Sequence, residues 1–288
     1  MKVIFAKNLG FCSGVKRAVA IAEKSFKKDP KPVQFFGPLV HNEKVIEKLK
    51  RDGGKIVSSL KKIKYGTLII RAHGEIFNPK SVKKTLVRDA TCPLVKRVQN
   101  SAKKLFENNY QIIIIGDKNH PEIKGIKGYT KNKATVINSE REAETPHFLK
   151  KLRGKKIGVV AQTTQDFNKV NQILKTLRKR NKNVRWINTI CPEVITRQKN
   201  LSQILKKADG VLVIGSHSSA NTRRLTKMVK KAKRKLFWIN SLKNLKRVDL
   251  KKVSILGVVS GTSAPDWVIN KIINELKSLN SSLTSKDT

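Results

Sequence analysis

A chain of 288 residues with 39% hydrophobic residues is long enough to bury a sizeable core, as one large domain or as two to three small ones. No apolar run approaches the ~20 residues of a membrane helix, and no charged N-terminal region leads into an apolar stretch with a cleavage site, so we expect a soluble, unprocessed protein. The formal net charge of +43 fits either nucleic-acid binding or a lysine-rich surface without that role, and no helix-turn-helix, zinc-finger or aromatic RNA-binding motif accompanies it.

Short apolar runs rich in β-branched residues alternate with amphipathic helical patterns along most of the chain. Runs this apolar predict strands that are covered on both faces. The predicted strands are 2–7, 33–37, 67–72, 111–116, 156–162, 184–190, 210–215, 236–240 and 253–259. Residues 263–266 then predict the cap of a last amphipathic helix. Regular alternation of strand and helix predicts an α/β fold with mainly parallel sheets.

The three cysteines, Cys12, Cys92 and Cys191, divide the chain into roughly similar lengths. This spacing suggests three small α/β units that meet at a centre. We place the units at 1–92 with Cys12, at 93–190 with Cys92 at its start, and at 191–280 with Cys191, and expect a flexible tail at 281–288. Three widely separated cysteines argue against a disulfide framework and for a reducing compartment, so we expect a cytoplasmic protein.

Chemically reactive side chains recur where predicted strands end or helices begin, which is where α/β proteins build their sites. Cys92 precedes a helix, and the others follow strands: Cys12, His41, His73, His120, Glu122, Thr163, Cys191, the serines of GSHSSAN and Ser263. This recurrence predicts a single functional site.

The two Cys-Pro pairs predict cysteines at helix starts. Because proline suits the first helical position, Cys92 and Cys191 lie at or next to an N-cap, where the helix dipole favours the thiolate that binds metal. The alternative is that all three cysteines are buried packing residues. Zinc is less attractive because no Cys-x-x-Cys pair is present. An iron–sulfur cluster held by three cysteines instead of four would leave one iron open to substrate.

Three of the five histidines, His41, His73 and His120, lie in equivalent turns, near serine and asparagine groups. Such donors, with backbone N–H groups at helix starts, form a cradle suited to a diphosphate, although a histidine near a core is often structural. Glu122, in a proline-constrained turn after His120, is the best carboxylate for moving protons. Its alternative role is that of a solvated loop acid or a helix cap.

Taken together, these stretches resemble the 4-hydroxy-3-methylbut-2-enyl diphosphate reductases, the iron–sulfur enzymes that end the non-mevalonate isoprenoid pathway. The matching stretches occur in the family's order between residues 10 and 267: GFCSGVKRAV, GPLVHNEKV, RAHG, DATCPLVKRV, HPEIKGIKG, QTTQ, TRQ, SSANTRRL and SGTSAPDW. Three cysteines together with the His-Pro-Glu turn in this order make the resemblance highly specific.

The resemblance implies a cloverleaf of three α/β/α units around a central cluster. It implies one 4Fe–4S cluster held by Cys12, Cys92 and Cys191, and proton or hydroxyl handling by Glu122 and Thr163. The positions implied to bind the diphosphate are His41, His73, His120, Ser219, Asn221 and Ser263. The implied reaction is a two-electron, two-proton loss of water from 4-hydroxy-3-methylbut-2-enyl diphosphate, an allylic diphosphate, giving isopentenyl and dimethylallyl diphosphates.

The implied partners are the small-molecule substrate and a ferredoxin or flavodoxin that donates electrons, with no membrane and with nucleic acid bound nonspecifically if at all. The alternative that the charge keeps open is a basic nucleic-acid-binding protein with structural cysteines.

Three residues depart from the family's pattern. Glu75 stands where a small apolar residue is usual and adds a negative charge close to His73, which should weaken diphosphate binding. Ala220 replaces a serine of the usual Ser-Ser-Asn, and Val194 removes a hydroxyl after Cys191. We expect activity to survive, because one lost neutral hydrogen bond costs ~0.5 to 1.5 kcal/mol.

Overall fold

The structure, a computed structural model, describes residues 1–75, 82 and 84–284, the last six of these by their backbone alone. Within these residues the strands are β1 (Lys2–Phe5), β2 (Val33–Phe36), β3 (Lys55–Val57), β4 (Gly66–Ile70), β5 (Thr85–Asp89), β6 (Gln111–Ile115), β7 (Thr135–Ile137), β8 (Ile157–Ala161), β9 (Val184–Trp186), β10 (Gly210–Ile214), β11 (Lys235–Ile239) and β12 (Ile255–Ser260).

The α-helices in the same residues alternate with these strands. They are α1 (Ser13–Lys28), α2 (Glu43–Arg51), α3 (Pro93–Glu107), α4 (Pro121–Gly128), α5 (Glu140–Ala143), α6 (Pro146–Leu152), α7 (Phe167–Arg180), α8 (Pro192–Leu205), α9 (Ala220–Lys231), α10 (Leu242–Leu245) and α11 (Asp266–Thr284). The last helix begins at the cap that the sequence predicts, and residues 285–288 of the predicted tail lie outside the described residues.

The strands form three four-stranded sheets, and every described pairing is parallel. The sheets run in the orders β3-β2-β4-β5, β7-β6-β8-β9 and β11-β10-β12-β1. All three sheets share the strand order second-first-third-fourth, provided that the N-terminal strand β1 is counted as the fourth strand of its sheet. The α/β fold with parallel sheets is therefore confirmed.

All nine predicted strands are present, and the sequence missed three, β3, β5 and β7. Each missed strand lies at the edge of its sheet and is partly exposed. These three edge strands lack the continuous apolar run that reveals a central strand, whereas the edge strands β1, β9 and β11 were predicted from theirs.

The central strand β10 shows how the apolar runs build the core. Leu212 and Ile214 belong to a buried cluster with Leu276 of α11, whereas Val211 and Val213 belong to a second cluster that includes residues of α8 and α9. Because successive side chains point to opposite faces, both faces of the strand are buried. Each fully buried aliphatic side chain contributes about 1.5 to 3 kcal/mol.

The chain divides into two compact units. One comprises Met1–Lys16, Val40–Lys48 and Pro192–Thr288 and holds the sheet that contains β1. The other comprises Arg17–Leu39 and Leu49–Cys191 and holds the other two sheets. The boundaries at residues 92, 190 and 280 stay a prediction.

Within the described ranges, no helix combines the length and the apolar character needed to cross a membrane.

Candidate functional site

The predicted site residues fall at three recurrent places in the sheets, always beyond the carboxyl end of a strand. The turn after the first strand of each sheet carries His41, then His120 with Glu122, then Ser219 with Asn221. The turn after the third strand carries His73, Thr163 and Ser263, and the turn after the fourth carries Cys92, Cys191 and Cys12. The sequence predicted that these residues lie at strand ends or helix starts. The strand orders show in addition that they recur after the same strands of each sheet.

Each cysteine immediately precedes a helix, which the Cys-Pro pairs predict for Cys92 and Cys191. Cys92 is the N-cap of α3, and its side chain makes no capping hydrogen bond. Cys12 and Cys191 directly precede α1 and α8. Each cysteine therefore stands at the positive end of a helix dipole.

The backbone of each cysteine is anchored in the same way within its own sheet. The N–H of Cys12 donates to the carbonyl of Thr262 at 3.0 Å, that of Cys92 to Ala72 at 2.9 Å, and that of Cys191 to Thr163 at 2.9 Å. All three acceptors lie in the turn after a third strand. The cysteine turn and the neighbouring polar turn are therefore fixed to each other in each sheet.

The donor set of the cysteines fits a thiolate-bound cluster. All three cysteines are described, all are partly exposed, and none forms a disulfide bond. Partly exposed thiols at helix N-termini are typical of reactive and metal-binding cysteines, whereas a cysteine that only packs in a core is usually fully buried. The carboxyl of Asp89, three residues before Cys92, has a pKa below its usual range. Burial raises this pKa, but hydrogen bonds from Lys96 and Thr91 outweigh that effect.

A buried arginine that the sequence reasoning missed fixes the Cys12 turn. Arg197 donates from Nη2 to the carbonyl of Gly10 at 2.8 Å, and from Nη1 to the carbonyl and Oγ of Ser260 at 3.0 Å each. Gly10 has a φ of +82°, a conformation that favours glycine. Arg197 lies in the TRQ stretch, so the signal was visible in the sequence but its role was not.

His120 and His73 lie together in the larger unit. Their rings are 5.4 Å apart between centroids and meet edge to face at 73°. Nδ1 of His120, the N-cap of α4, accepts a hydrogen bond from the N–H of Glu122 at 3.2 Å. Nδ1 is therefore unprotonated, and a neutral His120 carries its proton on Nε2. That N–H can donate to an anionic ligand.

Glu122 and Thr163 form a buried carboxylate–hydroxyl pair. Glu122 is only 1% exposed. Its Oε1 accepts a hydrogen bond from the N–H of Thr163 at 2.7 Å. Its Oε2 accepts from Oγ1 of Thr163 at 2.8 Å. The carbonyl of the same threonine accepts a hydrogen bond from the N–H of Cys191. Thr163 therefore connects a buried carboxylate to a cysteine turn. This arrangement can hold a proton and pass it through a hydroxyl.

The turn after β10 offers neutral donors. Ser219 is the N-cap of α9, and its Oγ accepts from the N–H of Thr222 at 3.3 Å. Asn221 is 1% exposed, and neither its Oδ1 nor its Nδ2 has a hydrogen-bond partner among the described residues. A buried amide without partners costs free energy unless a ligand satisfies it. Asn221 therefore fits a polar ligand.

Hydroxyl groups connect three further segments of the smaller unit. Oγ of Ser263 donates to the carbonyl of His41 at 3.0 Å. Oε1 of Glu43 accepts from Oγ of Ser216 at 2.7 Å and from Oγ of Ser218 at 3.2 Å. Glu43 is exposed, and the partial desolvation of its carboxyl raises its pKa, but these hydrogen bonds outweigh that effect and hold the pKa below its ordinary value. The sequence reasoning did not identify Glu43.

The three departures from the family's pattern have different surroundings. The carboxylate of Glu75 forms an ion pair with Nη2 of Arg71, so its charge is compensated. Val194 and Ala220 are buried and offer no side-chain hydrogen bond.

Comparison with known proteins gives a consistent result. The family model described as "LytB protein" matches residues 3–277. A protein named 4-hydroxy-3-methylbut-2-enyl diphosphate reductase from Geobacter metallireducens is 36% identical, over 99% of this chain and 100% of its own length. A protein of the same name from Dictyoglomus turgidum is 41% identical, over 97% of each chain.

Solved structures agree. The E-1-hydroxy-2-methyl-but-2-enyl-4-diphosphate reductase from Plasmodium falciparum superposes with a TM-score of 0.86 at 28% identity, over 96% of this chain and 87% of that chain. A structure of (E)-4-hydroxy-3-methyl-but-2-enyl diphosphate reductase, described as the terminal enzyme of the non-mevalonate pathway, gives a TM-score of 0.69 at 33% identity, over 96% of this chain and all of the other.

Proposed function

The chain belongs to the LytB protein family, and from this we propose that it reduces 4-hydroxy-3-methylbut-2-enyl diphosphate to isopentenyl and dimethylallyl diphosphates. The allylic carbon–oxygen bond breaks, two electrons enter, one proton leaves with the hydroxyl as water, and one proton adds to the allylic carbon skeleton. The observation that carries the proposal is the contact of Thr163 with both Glu122 and Cys191, which ties a buried proton-holding group to a cysteine turn.

The family is one of iron–sulfur enzymes, and we propose one 4Fe–4S cluster held by Cys12, Cys92 and Cys191. Their position before helices and their partly exposed thiols support this ligand set. When bound, such a cluster supplies electrons and one open iron that acts as a Lewis acid.

Proton transfer is assigned to Glu122 and Thr163. Oγ1 of Thr163 donates to Oε2 of Glu122 in the structure, and once Oε2 carries a proton this 2.8 Å hydrogen bond reverses. Oε2–H then donates to Oγ1, and the hydroxyl hydrogen of Thr163 can move to the leaving oxygen. The N–H of Thr163 holds Oε1, so that the carboxyl group keeps its orientation during the transfer.

Binding of the diphosphate is assigned to neutral donors at the strand ends. Nε2–H of His120 and the side-chain amide of Asn221 are the donors best supported, because one is set by a hydrogen bond at Nδ1 and the other has no described protein partner. The remaining predicted positions are His41, His73, Ser219 and Ser263. The hydroxyl of Ser263 donates to the carbonyl of His41 in the structure and would have to turn from it to donate to a phosphate oxygen.

We further propose an acidic ferredoxin or flavodoxin as electron donor, because the net charge of +43 would attract an acidic carrier. Cysteines that must stay reduced suit the cytoplasm. The nucleic-acid-binding alternative receives no support from the names of the relatives described above.

Anaerobic purification tests the proposal. We expect a brown protein with bound iron and sulfide that converts the hydroxylated allylic diphosphate under a chemical reductant. Cys92→Ser should stay folded by circular dichroism and lose both iron and turnover. A folded parent protein without iron, with duplex DNA binding that persists at physiological salt, would instead support the nucleic-acid alternative.

A further inference from the structure

The turn that carries His73 also carries an ion pair that the family's pattern does not predict. Arg71 and Glu75 stand two residues before and two residues after His73. Nη2 of Arg71 contacts Oε2 of Glu75, and the two side chains are only 17% and 18% exposed. A charge pair this buried is screened much less by salt than a surface pair.

The surroundings hold Arg71 against the turn. A Cβ atom added at Gly37 would lie 3.0 Å from Nη1 of Arg71, so the guanidinium packs directly on that glycine. Nε of Arg71 is buried, and no acceptor from the described part of the chain bonds to it. Glu75 is therefore the carboxylate that compensates this guanidinium among the described residues.

The turn itself is also fixed. Gly74, between His73 and Glu75, has a φ of +73°, and a Cβ there would lie 2.5 Å from Nε2 of Gln99. Glycine is thus required both by conformation and by space. His73 and Glu75 leave this turn in set directions, and the His73 ring meets His120.

We propose that Arg71 and Glu75 form a neutral pair that sets how strongly the His73–His120 turn binds a diphosphate. The inference rests on the proposed function, because it takes these histidines as diphosphate donors. With both partners present, the carboxylate is compensated and its repulsion of the ligand is small. Without Arg71 the carboxylate repels a diphosphate, and without Glu75 the guanidinium attracts one.

A double-mutant cycle with inorganic diphosphate as the probe tests the pair. Titration calorimetry on the anaerobically purified protein should show that Glu75→Gln tightens binding about threefold to tenfold, and that Arg71→Gln weakens it by about tenfold. The double variant should return to within about twofold of the parent protein, because it removes one positive and one negative charge whose effects on the ligand oppose each other. Arg71→Lys, which keeps the charge, should restore most of the affinity.

A second ion pair supplies the matched control. Lys103 and Glu107 have the same i,i+4 spacing in the same unit, but their side chains are 53% and 56% exposed. Lys103→Gln and Glu107→Gln change the net charge by the same amounts and should leave diphosphate binding unchanged. An equal shift in these controls would show that net charge alone acts, and would overturn the inference.

The failure of this inference and of the proposed function are distinguishable. A parent protein that binds diphosphate and turns over substrate, but whose Glu75→Gln variant binds no more tightly, overturns the inference alone. A parent protein that neither binds diphosphate nor turns over substrate overturns both. Should Arg71→Gln not fold, the gain expected from Glu75→Gln still decides the matter.

Discussion

The turns after β6 and β10 both begin a helix with a side-chain N-cap, but they differ in the hydrogen bonding of the polar side chain that follows. His120 and Ser219 are the N-caps of α4 and α9, and each accepts a hydrogen bond from a backbone N–H of its helix. Two residues later stand Glu122 and Asn221, both 1% exposed. Both oxygens of Glu122 are hydrogen-bonded to Thr163, whereas neither polar atom of Asn221 has a partner among the described residues.

This difference separates two kinds of functional group. A carboxylate whose oxygens are both held by its own protein is oriented to keep or transfer a proton. An amide that is buried without protein partners is costly unless a ligand completes its hydrogen bonds. Under the proposed function, the same position in the fold serves proton transfer in one sheet and ligand binding in another.

The largest effect is expected from Glu122→Gln. Glutamine keeps the shape and one acceptor oxygen but cannot carry the proton, so kcat should fall by about 10² to 10⁴. Anaerobic single-turnover kinetics with the iron content measured in parallel would show whether the loss is chemical. Glu140→Gln, at the exposed start of α5, is the control and should leave kcat unchanged. A near-normal rate in Glu122→Gln would remove this residue from the mechanism.

Asn221→Leu should affect binding more than stability. Because the amide has no described protein partner, its removal breaks no internal hydrogen bond, and the melting temperature should stay equal or rise. The KM for the diphosphate substrate should rise by about tenfold to a hundredfold, the loss expected for one or two hydrogen bonds to a charged ligand. A lower melting temperature with an unchanged KM would show that Asn221 is a structural residue.

Thr163→Val should have an intermediate effect, a fall in kcat of about tenfold. The substitution removes the hydroxyl that donates to Oε2 of Glu122 but keeps the backbone N–H that donates to Oε1. Thr163→Ser, which restores the hydroxyl, should recover most of the rate. A loss in the serine variant together with a near-normal kcat in the valine variant would point to packing of the methyl group instead of proton transfer.

Much of this fold could be predicted from the sequence because central strands such as β6 and β10 are buried on both faces and read as apolar runs. The edge strands β3 and β7 carry no such run. The pairing of β1 with β12 joins segments about 250 residues apart, and no local pattern encodes a partner so distant.

The site was predictable only as far as residue types reveal chemistry. His120, Glu122, Cys92 and Cys191 stand beside proline at helix starts, a local signal that the structure bears out in position. Cys12 precedes α1 without a neighbouring proline. Arg197 and Glu43 act through contacts with distant segments, which no spacing reveals. Glu75 showed the reverse case, since its charge was visible in the sequence but its partner Arg71 became clear only from the geometry.

The smallest effect, a modest loss of stability, is expected from Glu43→Gln. This substitution removes the α2 carboxylate that accepts hydrogen bonds from the turn after β10. Glu43 accepts from Ser216 and Ser218 much as Glu122 accepts from Thr163, but it is exposed, so its contribution should be modest.

The folded-state pKa of Glu43 lies below the ordinary 4.5, so its stabilisation is present above 4.5 and is lost as pH falls through the folded value. Melting temperatures measured from about pH 7 down to about pH 3 should therefore show a gap between the parent protein and Glu43→Gln that closes in acid. Glu47→Gln, on the same helix but paired with Lys44, is the control for loss of a surface carboxylate, and its melting temperature should stay close to that of the parent protein over the same pH range. A gap that stays constant down to the lowest pH would show that the hydroxyls of Ser216 and Ser218 do not depend on an ionised Glu43, and that the turn holding Ser219 and Asn221 is fixed by its own helix alone.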